Sequence, residues 1–413
     1  MNVSLIGRRR RVNAPSTGSR GIRFARKRLD LSLLDVVRGL AFCTRRRRRR
    51  DVLASVASAW DPAENAVVAL SVRSGFDLLL GAVDWAPGSE VVFSAVTIPH
   101  LAALVRSHGY VPVSVDLDPH TLEVDVGVVE AACTERTRAV VIAQLFGARA
   151  DLTVIASVTA ARGLLLIEDC AQCYDGADRH FGKVDIAMYS FGTIKTATCL
   201  GGAVLLVRDP ALRRRMCARQ ACYPTQPTRE YVWKLLKAAV LLMVGVPTVY
   251  QAFTGFIRAL GLEYDAAIRH LSREFDDRDL LVRIRRRPCT ALLAMMAFRF
   301  ASYDPARVMA RRQAGEHLVT QLAPHVVHLG SRAQSQTHWL FPIVSTAPTR
   351  LVAAGRAAGF DLTTGSSTLV ALDQNCRQAA DAISKVVYVP ICSTMQTWAV
   401  RDLADAINES ELA

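Results

Sequence analysis

The chain has 413 residues, of which 51% are hydrophobic, so it is long enough for two domains with cores of their own. Its formal net charge is +14, but residues 1–50 hold sixteen Lys or Arg and two Asp, which leaves the rest of the chain neutral. The basicity therefore belongs to an N-terminal arm, with arginine runs at 8–11 and 45–50. Such runs bind anionic surfaces with little selectivity, and no recognition motif accompanies them. This pattern disfavours specific nucleic-acid binding.

Apolar strands alternate with helical stretches between residues 65 and 207. The alternation predicts an α/β domain with a mainly parallel central sheet, in which ligands bind beyond the carboxyl ends of the strands. The predicted strands are Val91–Val96, Tyr110–Asp116, Arg138–Gln144, Gly163–Asp169, DIAMYSF (185–191) and GGAVLLV (201–207).

Residues 210–285 interrupt this alternation. Twenty consecutive residues, 238–257, carry no charge, which is long enough to cross a bilayer. Gly245 and Pro247 favour instead a kinked or re-entrant pair of helices, buried on the protein, in a dimer contact or on a membrane surface. The predicted organisation is a basic arm with an amphipathic helix over residues 1–55, a large domain over 56–285 that includes this insertion, and a small C-terminal α/β domain over 286–413.

Cysteine usage and the N-terminus indicate the compartment. The first residues, MNVSLIGRRRRVN, lack the apolar segment of a secretory signal, and ten cysteines are scattered without a framework. Cys170 and Cys173 form a CxxC with no second pair at zinc spacing, so no metal site is predicted. We expect a cytoplasmic protein, and the basic arm and apolar insertion suggest contact with the inner face of a membrane.

Two features near predicted strand ends suit a phosphorylated ligand with a basic ring nitrogen. Ser74, with Asp77 three residues later, indicates a capping box that opens a helix, and Gly75 would let backbone N–H groups approach a phosphate. Asp169 ends a buried strand, where a carboxylate needs a cationic partner such as a protonated pyridine nitrogen. Taken singly, a helix cap and a loop salt bridge explain these residues equally well.

The third feature is Lys195, the one charged residue in MYSFGTIKTATCLGGAV (188–204). We expect its desolvated amine to be neutral and able to form a Schiff base, although a lysine that snorkels to the surface has the same spacing. Ser190, five residues earlier, could donate to a phosphate. A phosphate turn, a partner for a pyridine nitrogen and an amine are together what pyridoxal phosphate requires.

These motifs resemble the sugar aminotransferases of the DegT–DnrJ–StrS type, a family of fold-type-I, pyridoxal-phosphate-dependent enzymes. The resemblance rests on EDCAQ (168–172), on SFGTIK (190–195) with the glycine pair that follows, and on RSGFDLLL, LFGARADL, HWLFPI and VVYVPI. It spans about residues 65–400 apart from the insertion. It implies a fold-type-I aminotransferase-like fold and a homodimer.

The resemblance also implies roles for individual residues. Lys195 would bind the cofactor aldehyde and act as general base, Asp169 would face the pyridine nitrogen, and Gln172 would lie near the phenolic oxygen. A lysine at this position favours transamination, with glutamate as amino donor and a nucleotide-linked keto sugar as acceptor. The phosphate would be held by Ser190, Ser74 and the backbone of Gly75 and Phe76.

Several positions depart from the family pattern. The aromatic residue that stacks on the cofactor ring is replaced by Ile98, and His100 either stacks in its place or is an ordinary helix-start histidine. The threonine hydroxyl of the phosphate turn is replaced by Phe76. Two alternatives therefore stay open: a pyridoxal-phosphate enzyme acting on a non-sugar substrate, and a non-catalytic, membrane-associated relative.

Overall fold

The computed structural model describes residues 21–26, 28–61, 65–177, 182–260, 279–365 and 369–412. The strands in these ranges are β1 (Ala66–Ala69), β2 (Glu90–Ser94), β3 (Val96–Thr97), β4 (Val111–Val115), β5 (Thr137–Ala143), β6 (Leu165–Asp169), β7 (Ile186–Ser190), β8 (Ala203–Val207), β9 (Val327–His328), β10 (Phe341–Val344), β11 (Val370–Ala371) and β12 (Val386–Val389).

The helices in the same ranges flank these strands. In chain order they are α1 (Leu33–Thr44), α2 (Arg49–Trp60), α3 (Val72–Leu80), α4 (Pro99–Ser107), α5 (Val126–Ala132), α6 (Thr153–Ala161), α7 (Pro210–Ala221), α8 (Thr228–Val244), α9 (Pro247–Ala259), α10 (Leu280–Ile284), α11 (Thr290–Ser302), α12 (Ala306–Gln321), α13 (Pro348–Ala357), α14 (Arg377–Ser384) and α15 (Thr397–Leu412).

Seven strands form the central sheet, in the order β1-β8-β7-β6-β5-β2-β4. Strand β8 runs antiparallel to both of its neighbours, and the other pairings of this sheet are parallel. The prediction of a mainly parallel sheet is therefore confirmed, and each predicted strand is present. Alternate residues of β5 face two different cores: Val140 and Ile142 pack on one side, Ala139 and Val141 on the other. Burial on both faces explains why the strands are continuous apolar runs.

The N-terminal helices belong to the large domain rather than to an arm. In α2, Val52, Val56 and Trp60 are buried in the core, and α11 packs against both α1 and α2. Helix α1 lies where the amphipathic helix was predicted and begins with a capping box between Ser32 and Asp35. The predicted domain boundary at residue 286 lies before α11. Because α11 packs with α1 and α2, it belongs to the core of the large domain.

A smaller unit follows α11. Strands β9, β10 and β12 form an antiparallel sheet in the order β12-β10-β9. Helices α12, α13 and α15 pack around a separate core that contains Phe341, Ile343, Leu351 and Leu403. These elements form a small α/β unit whose first helix is α12, and the predicted domain bounds stay a prediction.

The insertion forms the predicted kinked pair of helices. Helices α8 and α9 are bent by 93° at a short break between Val244 and Pro247. Among the described residues, no single helix is long and apolar enough to cross a membrane. The two helices of the bent pair together have the length and the apolar composition of a membrane span. The solvent-facing stripe of α8 is apolar: Trp233, Leu236, Val240 and Met243 are all exposed.

Residues 21–26 and 28–32, here called the strap, cross the small domain before α1. Arg23 and Phe24 donate backbone N–H groups to Gly359 O, and the ring of Phe24 stacks on Phe360 with centroids 4.8 Å apart. Arg26 forms an ion pair of 2.7 Å with the fully buried Asp361. Part of the predicted basic arm is thus ordered against the body of the protein.

Candidate active site

Most of the predicted site residues follow strands whose carboxyl ends meet at one edge of the central sheet. Asp169 ends β6 and Ser190 ends the adjacent β7. Ser74 lies in the first turn of α3, which follows β1, and Ile98 precedes α4, which follows β2 and β3. This is the edge at which α/β folds bind ligands.

Asp169 is a buried carboxylate beside two cations. Its Oδ1 accepts a hydrogen bond of 3.0 Å from Ala171 N. Burial raises the pKa of Asp169, while the Ala171 N–H and the charges of Lys195 and Arg73 act in the opposite direction. Asp169 and Lys195 are therefore close enough for their charges to interact, as the sequence predicts. Arg73 was not predicted at this site.

Glu168, the residue before Asp169, has a structural role. Its Oε1 accepts from Gln144 Nε2 at 2.8 Å and from Arg149 Nε at 3.1 Å. Because successive strand residues point to opposite faces, this ion pair lies away from the side chain of Asp169. Of the two adjacent carboxylates, Asp169 is therefore the one placed for chemistry.

Lys195 lies in the loop between β7 and β8, partly exposed. Its Nζ is 4.0 Å from the centroid of the Trp339 ring, and Trp339 Nε1 donates to Ile194 O at 3.0 Å. An aromatic face and the carboxylate of Asp169 both attract a positive charge. The side chain is therefore not fully desolvated, and the expectation of a neutral amine stays a prediction.

The glycine pair after Lys195 turns the chain back as predicted. Phe191 N donates to Gly202 O at 3.0 Å, and Gly201 N donates to Phe191 O at 3.0 Å. Gly202 has a φ of +89°, and a Cβ there would lie 2.5 Å from Met296 Sδ. Both backbone conformation and space therefore require glycine at this turn.

The helix of the predicted phosphate turn begins three residues earlier than expected. Ser71 is the N-cap of α3, and its Oγ accepts from Ser74 N at 3.1 Å. The predicted cap at Ser74 is therefore wrong, because the chain offers two serines at this spacing and Ser71 is used. Gly75 N already donates to Ser71 O, and a Cβ on Gly75 would lie 2.1 Å from Leu205 Cδ1. In this structure Gly75 permits close packing of α3 on β8.

Phe76 and Asp77 also have structural roles. The Phe76 ring is fully buried, with its centroid 6.3 Å from that of Phe93. Asp77 forms ion pairs of 2.9 Å with His108 and with Arg285. Burial opposes the charged carboxylate, but the hydrogen bonds from these two partners outweigh it and lower the pKa of Asp77 to about 2. Asp77 therefore anchors α3 rather than capping it.

Gln172, Ile98 and His100 border the same edge of the sheet. Gln172 Oε1 accepts from Phe146 N at 3.0 Å, which directs the amide NH₂ away from that backbone. Ile98 is partly buried and precedes Pro99, the first residue of α4, so His100 lies in the first turn of that helix. Their predicted contacts with a cofactor remain predictions.

A cavity of about 250 Å³ opens on the small-domain side of Lys195. Its walls come from the strap, the Lys195 loop, α12 and the segment after β12. Within the described residues, Asp169, Ser74 and Ser190 do not line it. The side chains that do line it and that the sequence did not single out include Arg26, Asp30, Tyr303, Arg307, Arg311 and Trp339.

Solved structures share this architecture. The aminotransferase TlmJ from Streptoalloteichus hindustanus superposes with a TM-score of 0.69 at 17% identity, over 94% of this chain and 99% of that one. The Helicobacter pylori aminotransferase PseC superposes with a TM-score of 0.67 at 13% identity, over 94% and 99%. The chain therefore has the α/β fold of this class of aminotransferases, as the resemblance predicted.

Sequence comparison finds a partial match to one family. Residues 49–237 match the model of the DegT/DnrJ/EryC1/StrS aminotransferase family. The L-glutamine:2-deoxy-scyllo-inosose aminotransferase of Streptomyces kanamyceticus is 36% identical over 183 residues, which is 43% of each chain. The enzyme of the same name from Streptoalloteichus tenebrarius is 30% identical over 255 residues, 60% of this chain and 57% of that one. The match thus spans about half the length of these relatives.

Proposed function

We propose that the protein is a pyridoxal-phosphate-dependent aminotransferase that moves an amino group from an amino acid to a cyclic polyhydroxylated ketone. The observation that carries the proposal is that the buried carboxylate of Asp169, at the end of β6, lies close enough to Lys195, five residues after the end of β7, for their charges to interact. The match of residues 49–237 to the family model supports it.

The residues at the sheet edge fit this cofactor. Burial raises the pKa of Asp169, so its carboxylate is stabilised by a cation such as a protonated ring nitrogen. Lys195 supplies a primary amine on a loop that the glycine turn at 201–202 holds in place. The first turn of α3 carries N–H groups that the helix itself leaves without acceptors, which suits a phosphate.

Each residue then has a chemical task. When bound, the cofactor supplies an electron sink for the substrate's α-carbon. Asp169 would hold the proton of the ring nitrogen, and Lys195 would bind the cofactor aldehyde and move the α-proton. The amide NH₂ of Gln172 would donate to the phenolic oxygen. The hydroxyls of Ser190 and Ser74 would contact the phosphate. The resemblance also implies the backbone of Gly75 and Phe76, but Gly75 N already donates to Ser71 O. Ile98 or His100 would cover one face of the ring.

The names of the relatives refine the substrates. Both are L-glutamine:2-deoxy-scyllo-inosose aminotransferases, so we propose L-glutamine ahead of glutamate as the amino donor. The same names favour a keto sugar or keto-inositol that need not be nucleotide-linked. The narrow cavity beside Lys195, about 250 Å³, agrees with a small acceptor.

The test is an absorbance spectrum of the purified protein with pyridoxal phosphate, before and after L-glutamine or L-glutamate. The wild type should show the visible band of the lysine-bound cofactor, and the band should bleach with the preferred donor. Lys195→Ala should lack this band. Lys234→Ala is the matched control, because Lys234 Nζ donates to Leu200 O at 3.2 Å in the same loop and should leave the band intact.

Each contrary outcome has a distinct meaning. A band that no donor bleaches would keep the cofactor and favour another pyridoxal-phosphate reaction. A wild type without any band would overturn the proposal and favour a non-catalytic role.

We also propose that the exposed apolar stripe of α8 contacts an anionic lipid surface. In this proposal the protein is cytoplasmic and forms a homodimer. Arg229, Lys237 and the arginine run at 45–50 support this charge preference. In flotation with anionic vesicles, Trp233→Gln/Val240→Gln should lose binding, whereas Val154→Gln/Val282→Gln, which changes valines exposed elsewhere, should not. The contrary outcome is a wild type that does not bind vesicles and forms a dimer that Trp233→Gln/Val240→Gln dissociates. That result would mean that the stripe contacts the partner subunit and not lipid.

A further inference from the structure

Trp339 is fixed where the small domain meets the large one. Its Nε1 donates to Ile194 O at 3.0 Å, which ties the indole to the residue before Lys195. The next residue in the chain, Leu340, donates its backbone N–H to Phe146 O at 3.2 Å, in the loop after β5. Contacts of the ring and of the backbone therefore set the position of the indole beside the lysine.

One face of this indole carries the amine of Lys195. The Nζ atom lies 4.0 Å from the ring centroid, within the roughly 6 Å at which an aromatic face attracts a cation, and indole is the most effective ring for this purpose. Both side chains are half-buried, so water screens the attraction less than it would at a fully exposed site. The indole therefore offers a protonated Lys195 a site that involves no carboxylate.

Asp169 is the competing partner for the same charge. Its carboxylate is buried and interacts with the charge of Lys195. In the proposed function this carboxylate faces the protonated ring nitrogen of the cofactor. A lysine that paired with Asp169 would take the position of that nitrogen, whereas a lysine over Trp339 does not compete for it.

We propose that Trp339 is a positioning residue that holds the protonated side chain of Lys195 whenever its amine is not bound to the cofactor. The inference rests on the proposed aminotransferase function. In a transamination the lysine is unbound once the amino group has left the donor, and it is positively charged whenever it has taken up the α-proton. Trp339 then keeps this charge off Asp169 while the amine stays within the site.

Two forms of the cofactor distinguish a bound lysine from an unbound one. Pyridoxal phosphate has the aldehyde that Lys195 binds, whereas pyridoxamine phosphate has an amine there and leaves the lysine unbound. Both dissociation constants refer to the same cofactor-free protein, so their ratio compares only the two complexes. Loss of the indole face should destabilise the complex with the unbound lysine and should therefore raise this ratio.

The experiment measures both dissociation constants by calorimetric titration. We expect the dissociation constant for pyridoxamine phosphate, divided by that for pyridoxal phosphate, to rise about threefold to tenfold in Trp339→Leu. Trp339→Phe keeps a weaker aromatic face, so the ratio should rise less. In a Lys195→Ala protein, Trp339→Leu should change the affinity for pyridoxamine phosphate by less than about twofold, because no ammonium group remains to be held.

Trp85→Leu is the matched control, because Trp85 is also half-buried and packs on another aromatic ring, that of Tyr110, with centroids 5.4 Å apart. Tyr110 precedes β4, so this pair lies at the end of the parallel strands opposite to Asp169. The control should leave the ratio unchanged. Thermal melting reports folding, and if Trp339→Leu does not fold, Trp339→Met decides, since methionine fills irregular space well.

Two results would overturn the inference. An unchanged ratio, with equal losses of affinity for both cofactor forms, would mean that Trp339 only supports the Lys195 loop. A loss of pyridoxamine phosphate affinity that persists in the Lys195→Ala protein would mean that Trp339 contacts the cofactor and not the lysine. A wild type that binds neither form would instead overturn the proposed function, so the two failures are distinguishable.

Discussion

The carboxylate of Asp30 accepts a hydrogen bond of 2.8 Å from the backbone N–H of Ala197, two residues after Lys195. Ala197 has a φ of +53°, a left-handed conformation that costs a non-glycine residue roughly 1–2 kcal/mol. Tyr303 OH donates to the same carboxylate oxygen of Asp30 at 2.7 Å. The strap therefore reaches under the lysine loop and holds it in a strained conformation.

Removal of that carboxylate should loosen the lysine loop. We expect Asp30→Ala to lower the free energy of unfolding by about 1–3 kcal/mol, because Ala197 N–H is left without its acceptor. The Asp30→Ala protein should also bind pyridoxal phosphate more weakly, since Lys195 is no longer held in place. Urea denaturation and cofactor titration measure the two effects.

Ala197→Gly is the companion variant, because glycine adopts a positive φ without strain. Added to Asp30→Ala, it should restore part of the cofactor affinity. The matched control is Asp381→Ala, which removes a solvent-exposed ion pair of 2.7 Å with Lys385 and should change stability by less than about 1 kcal/mol. Equal effects of the two aspartate variants would contradict a positioning role for Asp30.

The attachment of the strap depends on Arg26 and Asp361. The guanidinium of Arg26 donates to both carboxylate oxygens of Asp361, at 2.7 and 2.8 Å, and Tyr250 OH of α9 donates to Oδ2 at 2.5 Å. Arg26→Met should destabilise the protein by roughly 3 kcal/mol, because a fully buried carboxylate then loses the nearer of its two cationic partners and keeps Arg356 at 3.9 Å. Proteolysis within residues 21–32 should accelerate in parallel.

Arg23→Met is the control for this prediction. The side chain of Arg23 is exposed, and its contact with the small domain is a backbone hydrogen bond from Arg23 N to Gly359 O. The substitution should leave both stability and proteolysis unchanged. If Arg26→Met behaved like Arg23→Met, the strap would be held by Phe24 and the backbone alone.

The strap also shows where the sequence stops being informative. The central strands were predictable because burial on both faces makes each one an apolar run. Residues 21–32 have no such periodicity, and their partners lie more than 300 positions away at Asp361 and Thr394. An arginine-rich segment therefore looks solvated until the fold supplies its counter-ions.

The candidate site also contains residues that the sequence indicates and residues that only the fold brings together. Lys195, Asp169 and Ser190 could be singled out in the sequence because each lies at the end of an apolar strand or shortly after it. The helix start was misplaced, since Ser71 and Ser74 are both acceptable N-caps and local sequence does not choose between them. Arg311 and Trp339 come from the small domain, and only tertiary packing brings them to Lys195.

Gly75 should be intolerant of any side chain. A Cβ there would lie 2.1 Å from Leu205 Cδ1, so Gly75→Ala should force α3 away from β8 and destabilise the protein by about 1–3 kcal/mol. In the double variant Gly75→Ala/Leu205→Ala the clash is relieved. Its loss of stability should therefore be smaller than the sum of the losses of the two single variants. Thermal melting of the two single variants and of the double variant measures these losses of stability.

Gly255→Ala is the matched helix control. Gly255 lies within α9, and no atom is within 4 Å of the Cβ that it would gain. Alanine favours helix over glycine by about 0.5–1 kcal/mol, so this variant should be neutral or stabilising. Destabilisation of the same size at both glycines would mean that the clash with Leu205 is not the cause.

His338 should make stability depend on pH above the range in which carboxylates titrate. Burial, and then the neighbouring His328, lower the pKa of His338 to about 4, whereas an unfolded histidine titrates near about 6.5. Between these values the unfolded chain binds the proton and the folded chain does not. Stability should therefore fall as the pH is lowered from about 6.5 to about 4, with a slope of up to about 1.4 kcal/mol per pH unit.

The measurement is urea denaturation of wild type and His338→Asn across this pH range. Asparagine is chosen because His338 has a φ of +46°, which asparagine tolerates better than most residues. The variant should be less stable at pH 7, because it loses the stacking of His338 on Phe341, but its stability should vary less between pH 6.5 and pH 4. His325→Asn, at an exposed position, should keep the wild-type slope. An identical slope in His338→Asn would show that another group carries the pH dependence.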